Sequence, residues 1–174
     1  MVSFRRIGFC LLALSPLLAL GLAMRAGLRI NHTPSFPVGV YWAIPKTPAV
    51  NDLIFFRPVR SPAFELAKER GYIGSGGLQP YEMLLKRIVG SAGDVVCIDG
   101  KGVTVNGRQL PHTAPRACDL AGRPLPVCRL DDYRLQPGEI LAISDYSPLS
   151  FDSRYFGPVS RSQIQSVVVP VWTW

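Results

Sequence analysis

Apolar residues along this chain fall into two regimes. From Ile7 to Met24 they run almost without interruption, and beyond that they come in short blocks separated by Pro, Gly and charged residues. As a helix the first stretch is about 27 Å long, close to the roughly 30 Å hydrocarbon core of a bilayer. It is expected to be a transmembrane anchor, since Pro16 and Gly21 can kink such a helix without preventing insertion. The competing reading is a cleaved signal peptide, with Arg5 and Arg6 as its charged start and Gly21-Leu22-Ala23 as a tolerable cleavage site. The retained anchor is preferred because the stretch is longer than a usual signal core. On either reading the rest of the chain is exported. The expected organisation is a short basic N-terminus over 1–6, an anchor over 7–24 and one domain over 25–174.

Beyond the anchor the pattern predicts mostly strands. Residues 26–48 are rich in Pro and Gly and read as extended. Residues 52–57 read as a strand. Ser61-Pro62 marks a helix start, with serine as N-cap and proline in the first turn, and the helix should stop at Gly71. Gly74 to Gly77 is a loop without phosphate-binding spacing. Residues 82–89 form a buried strand, Gly90 to Gly93 a turn, and 94–98 a second strand. Asn106-Gly107 between strand-like residues is a hairpin signal. Residues 111–126 are loop, while 139–144 and 164–172 are further strands. The predicted fold is one mainly β, antiparallel domain with one short helix, hung from one N-terminal transmembrane helix, without internal repeats.

Charge sharpens the membrane reading. The net charge is +7, but no Asp or Glu precedes Asp52, and Arg5, Arg6, Arg25, Arg29 and Lys46 carry +5 of it. The basic excess therefore flanks the apolar segment, where it can meet anionic headgroups. A pI near 9.6 also suits nucleic-acid binding, but no Lys/Arg stripe occurs in the remaining domain. No nucleic-acid partner is expected. Of the four cysteines, Cys97 in the alternating run 94–98 reads as a small core residue. Cys118 and Cys128 bracket a loop, where a disulfide and two free thiols are both open. No zinc spacing occurs, so no metal or cofactor is expected.

The chemistry rests on Ser35 and Lys86. A serine hydroxyl needs a base to take its proton. His32 and His112 are the only histidines, and neither makes a convincing triad: an extended chain does not fold His32 back onto Ser35, and His112 follows Pro111 in a loop. In a strand, Leu84, Lys86 and Ile88 share one face. A lysine between two aliphatic neighbours is open to desolvation, which favours the neutral amine that a general base requires. The plainer reading, a packed stem with its head in water, stands beside it.

The run Thr33-Pro34-Ser35-Phe36-Pro37-Val38-Gly39 resembles the nucleophile segment of the type I signal peptidase superfamily, most closely the conjugative-transfer, TraF-type branch. Leu85-Lys86-Arg87-Ile88-Val89-Gly90 resembles its lysine box, and Ser150-Phe151-Asp152-Ser153-Arg154-Tyr155-Phe156-Gly157-Pro158 its C-terminal box. The segments 67–73, 105–107 and 121–126 are also similar. The resemblance implies a signal-peptidase or LexA-like β domain with Ser35 as nucleophile and Lys86 as general base. It implies an oxyanion hole from the Ser35 N–H and the Thr33 hydroxyl. It further implies that Ser150 hydrogen-bonds Lys86 and that Asp152 and Arg154 form an ion pair holding the box, with an accessory catalytic role open for Asp152. The box from Ser144 to Ser150 lacks the full Gly-Asp-Asn lead of the housekeeping enzymes, and their large inserted β domain is missing.

The expected function is therefore that of a membrane-anchored serine endopeptidase on the periplasmic side of the bacterial inner membrane. Its implied substrate is a small exported pilin precursor for conjugative plasmid transfer, with cyclisation of the product open, and other transfer-apparatus proteins are conceivable partners. The enzymatic alternative is a general signal peptidase, and the non-enzymatic one is a membrane-tethered component of a transfer apparatus. Ser35 follows Met24 by eleven residues, a reach of at most about 40 Å, which keeps it near the bilayer surface.

Overall fold

The computed structural model describes residues 4–174, with side chains described from Ser15 onward. In chain order the elements are α1 (Phe4–Ala26), β1 (Leu28–Asn31), β2 (Gly39–Ile44), β3 (Leu53–Phe56), α2 (Pro62–Glu69), β4 (Leu84–Ser91), β5 (Val95–Asp99), β6 (Gly102–Val105), β7 (Arg108–Gln109), β8 (Leu130–Arg134), β9 (Glu139–Ile143), α3 (Ser153–Phe156), β10 (Val159–Ser160) and β11 (Ile164–Thr173). All strand pairs are antiparallel. The strands form a seven-stranded sheet, in the order β1-β2-β11-β3-β4-β9-β10, and a four-stranded sheet, in the order β7-β6-β5-β8.

Local chemistry explains most of these boundaries. Ser61 caps α2 by accepting the Phe64 N–H, Pro62 sits in the first turn, and Gly71 has φ +75° just beyond the end. Phe64 and Ala67 bury the inner face of α2 on the large sheet, and burying a side chain like Phe64 contributes about 1.5–3 kcal/mol. Asn106 and Gly107 both have positive φ, 49° and 78°, as a two-residue hairpin between β6 and β7 requires.

Other elements depart from the pattern. The region 26–48 carries β1 and β2 as paired strands, not merely extended chain. Their pairing depends on β11, which lies against β2. At Gly39 a Cβ would come within 2.2 Å of the Trp172 carbonyl oxygen, so only glycine admits that approach. β4 continues through the expected turn at Gly90 with a register shift between Ile88 and Gly90. β8 carries two acidic residues and is an edge strand, so its own periodicity is faint. Cys97 is only half-buried, its Sγ meeting the Asp132 carboxylate at 3.3 Å instead of entering the core. Cys118 and Cys128 are free thiols.

The expected anchor, 7–24, falls within α1, but residues 7–14 lie outside those whose side chains are described, as does Cys10. Among the described residues no helix is long and apolar enough to cross a membrane.

Candidate active site

The serine loop, 32–38, joins β1 to β2 and is held by one buried side chain. Asn31, 3 % exposed, donates from Nδ2 to the carbonyls of Thr33 (2.9 Å), Phe36 (3.1 Å) and Pro37 (3.1 Å). Its Oδ1 accepts from the Thr33 N–H at 3.3 Å and from the Thr33 hydroxyl at 3.0 Å. Three carbonyls on one side of the amide and the Thr33 N–H on the other assign its nitrogen and oxygen. Tyr41 donates its hydroxyl to the Pro37 carbonyl at 2.6 Å, and the buried Ser144 hydroxyl donates to the Ser35 carbonyl. Phe36 is tucked into the core formed with Tyr41, Phe55 and Leu85. The turn is thus fixed from both sides, and Ser35 lies 7 % exposed with Oγ 3.0 Å from Thr33 Oγ1.

Lys86 comes from β4, opposite Ile54 of β3, and lines the same cleft as Ser35. Leu84 and Ile88 flank it on one core face, as strand alternation requires. It is 3 % exposed, so the reading with its head in water does not hold. Burial pushes its amine down from the ordinary lysine value to about 8, a little further for the nearby Arg154 charge, while Asp152 and Glu82 oppose the fall. A neutral amine is therefore available at mildly alkaline pH.

The C-terminal box packs behind this pair. Asp152 and Arg154 are both 0 % exposed. Arg154 donates from Nε to Asp152 Oδ1 and from Nη2 to Oδ2, each at 2.8 Å. Its Nη2 also reaches the Ser150 carbonyl at 3.0 Å. Asp152 Oδ2 accepts the Ser144 N–H at 3.0 Å, so one chain of bonds runs from Arg154 through Asp152 and Ser144 to the Ser35 carbonyl. Ser150 lines the cleft, but its buried Oγ has no hydrogen-bond partner, so the bond to Lys86 implied by the resemblance is not made here. Arg154 is committed to Asp152 and to loop carbonyls, while the Asp152 charge acts on the Lys86 amine.

Of the two histidines His32 lines the cleft and His112 does not, while the hydrogen-bond partner of Ser35 Oγ is Thr33. His32 rests its Nε2 3.0 Å from Glu82 Oε2 with a largely exposed ring. His112 is exposed in a left-handed turn, φ +56°, and offers only its carbonyl to Arg154.

The cleft has a volume of about 500 Å³. Its far wall is the loop around 116–125, which reads in sequence only as Pro/Arg/Gly-rich chain. Tyr72 donates its hydroxyl to Asp119, and Arg123 Nε donates to the same carboxylate at 2.6 Å. The Tyr72 bond, with those from Arg123 and the Ala121 N–H, holds the Asp119 carboxyl well below the usual range. Asn31 and Ser144 escaped the sequence reading. A short polar residue closing β1 is a weak signal for Asn31; nothing local marks Ser144, whose partner lies 109 positions away. Among the described residues the one close group of metal-ligand types is Cys97, Asp131 and Asp132, and none of them lines the cleft.

One cleft thus holds a buried lysine and a serine on a fixed turn. The chain belongs to the family described as signal peptidase, peptidase S26, which matches residues 4–174. It is therefore a member of a peptidase family. Within it the chain is similar to plasmid transfer proteins TraF of Escherichia coli. One is 47% identical over 160 residues, 91% of this chain and 90% of the relative, and another is 46% identical over 150 residues, 86% and 84%. A signal peptidase I from Enterococcus faecalis V583 aligns with 71% of this chain and 98% of its own at 21% identity, with a TM-score of 0.39.

Proposed function

We propose that this protein is a serine endopeptidase of the Ser-Lys type that matures a small exported precursor, a pilin subunit, for conjugative transfer. The observation that carries the reading is the Lys86 amine: buried, lowered to about 8, and lining one cleft with Ser35. In this mechanism neutral Lys86 takes the Ser35 proton as Oγ attacks the scissile carbonyl. The oxyanion that forms accepts from the Ser35 N–H and from the Thr33 hydroxyl, which turns its hydrogen from Asn31 Oδ1 to the oxyanion, and losing one such donor typically costs about 3 kcal/mol. The Lys86 ammonium then protonates the leaving amine. Water resolves the acyl-enzyme to a linear product, or the substrate's own amino terminus resolves it to a cyclic one. Asp152, Arg154 and Ser144 hold the serine turn, and Ser150 supplies a free hydroxyl beside the lysine once substrate is bound. Residues 7–24 anchor the chain in the inner membrane, with the domain on the periplasmic side. The exposed Leu17, Leu18, Leu20 and Leu22 of α1 support that placement. The TraF relatives support the link to conjugation.

The test is intact mass spectrometry of a co-expressed cognate pilin precursor with the wild type, Ser35→Ala and Lys86→Ala. A truncated product with wild type alone is expected, and a product lighter by one water than the linear fragment marks cyclisation. Processing by either well-folded variant would sink the mechanism. A penem probe separates the non-enzymatic alternative, because an enzyme should be acylated at Ser35. Loss of general secretion on deletion, instead of loss of mating alone, would point to the housekeeping role.

A further inference from the structure

Where α1 ends against the sheet edge, Arg25, Arg29 and Arg161 line an open pocket of about 600 Å³. No acidic side chain lines it, and among the described residues none of the three has a carboxylate within ion-pair distance. Lys46, the fourth cation at its rim, is already paired with Asp52 at 2.5 Å. Arg29 gives Nη1 to the carbonyls of Met24 and Leu28 at 2.9 Å each, yet its Nε is buried with no partner. Three positive charges gathered without a counter-charge leave the pocket short of an anion.

Beside this pocket lies an aromatic face. The chain has three tryptophans, and all of them are exposed on this end of the large sheet: Trp42 at 39 %, Trp172 and Trp174 at 70 %. Register places Leu28, Trp42 and Val169 in one row, and Ile30, Val40 and Trp172 in another. The Trp174 backbone N–H donates to the Val38 carbonyl at 3.0 Å, and its ring lies 5.3 Å from that of Trp172. Gly27 joins the two features: it lines the pocket, and a Cβ there would be 3.4 Å from Trp42 Cε2.

We propose that this junction is a headgroup site for an anionic phospholipid, with the phosphodiester between Arg25, Arg29 and Arg161 and the tryptophan face lying in the same bilayer interface. The inference rests on α1 being the membrane anchor. A bilayer surface accounts for the uncompensated arginines, the amphipathic indoles at headgroup level and the bare leucines of α1 together. A soluble anion would leave the tryptophans exposed, and a second copy on the sheet face would leave the leucines bare. The placement also fixes depth. From the Leu28–Trp42 row to the Asn31–Gly39 row is three residues, about 10 Å of strand. On this placement the strand ends that carry the Ser35 turn lie about 10 Å along the strand from the Trp42 row.

Because those three residues are the only tryptophans, intrinsic fluorescence reports this face alone. The full chain is reconstituted in phosphatidylcholine bilayers containing a minor fraction of brominated phosphatidylglycerol or, separately, brominated phosphatidylcholine. Quenching by both lipids is expected, stronger for phosphatidylglycerol, with that preference falling about fivefold for each of Arg29→Gln and Arg161→Gln. Arg25→Gln, at an exposed position, repeats the test where misfolding is no concern. Absence of quenching, equal quenching by the two lipids, relief by dissolved inorganic phosphate, or a dimer that shields the indoles would each overturn the proposal. Peptidase activity of the same preparation is read in parallel. Activity without quenching fails the lipid site alone, and quenching without activity fails the peptidase reading alone.

Discussion

Lys86 and Arg154 are both cationic side chains taken almost wholly out of water, at 3 % and 0 % exposure, and close enough that the charge of one acts on the other. Their surroundings differ. Lys86 sits between Leu84 and Ile88, with no carboxylate in ion-pair distance among the described residues, and burial pushes its amine down to about 8. For Arg154 burial acts in the same downward direction, but the bonds and charge of Asp152 outweigh it and hold the guanidinium above its ordinary value. Burial alone does not set protonation; whether a partner was buried with the cation does. One site keeps a permanent charge as scaffold, and the other keeps a charge that can be given up.

Breaking the scaffold should have the largest effect. Arg154→Met leaves Asp152 buried and uncompensated, and a loss of about 3–5 kcal/mol is expected in urea unfolding at pH 7. An unchanged midpoint would show that the pair contributes nothing net.

Removing the other cation should act in the opposite sense. The folded state holds Lys86 near pH 8, while the unfolded chain holds lysine near its ordinary value of about 10.4. Below pH 8 both states are protonated and the folded state bears the full cost of a buried charge. Between the two values the unfolded state binds more protons, so stability rises with pH across that window. Lys86→Met should therefore stabilise the protein at pH 7 by about 3 kcal/mol, an advantage that shrinks toward zero by about pH 10.4. Thermal unfolding of both proteins across that range checks it.

The same amine should set the rate. On the Ser-Lys reading, kcat/KM rises with pH and reaches half its plateau near pH 8, the value of Lys86. The smallest effect comes from Glu82, whose charge is the weakest of the influences on Lys86 and raises its pKa. Glu82→Gln should move the midpoint slightly toward lower pH while leaving the plateau in place. A shift toward higher pH would contradict the assigned sign. Because Glu82 also pairs with His32, His32→Ala controls for disturbance of the loop.

The sequence by itself determined those features whose cause is local. Ser61 and Pro62 announce α2, Asn106-Gly107 announces its hairpin, and strand alternation puts Lys86 on the face of Leu84 and Ile88. The Asp152–Arg154 pair was likewise legible, because the resemblance that implies it rests on a contiguous run. What only the tertiary structure decided is everything that needs a distant partner. β1 and β2 read as Pro- and Gly-rich chain until β11 pairs with β2, and β8 is a strand because β5 makes it one. Ser144 becomes a support of the nucleophile turn by reaching across 109 positions. The three tryptophans, scattered at 42, 172 and 174, form one face only when those strands meet. Lys86 illustrates the division best: alternation chose its face, but its protonation depended on how much water the packed core excluded and on which charges lay around it, quantities that no stretch of sequence carries alone.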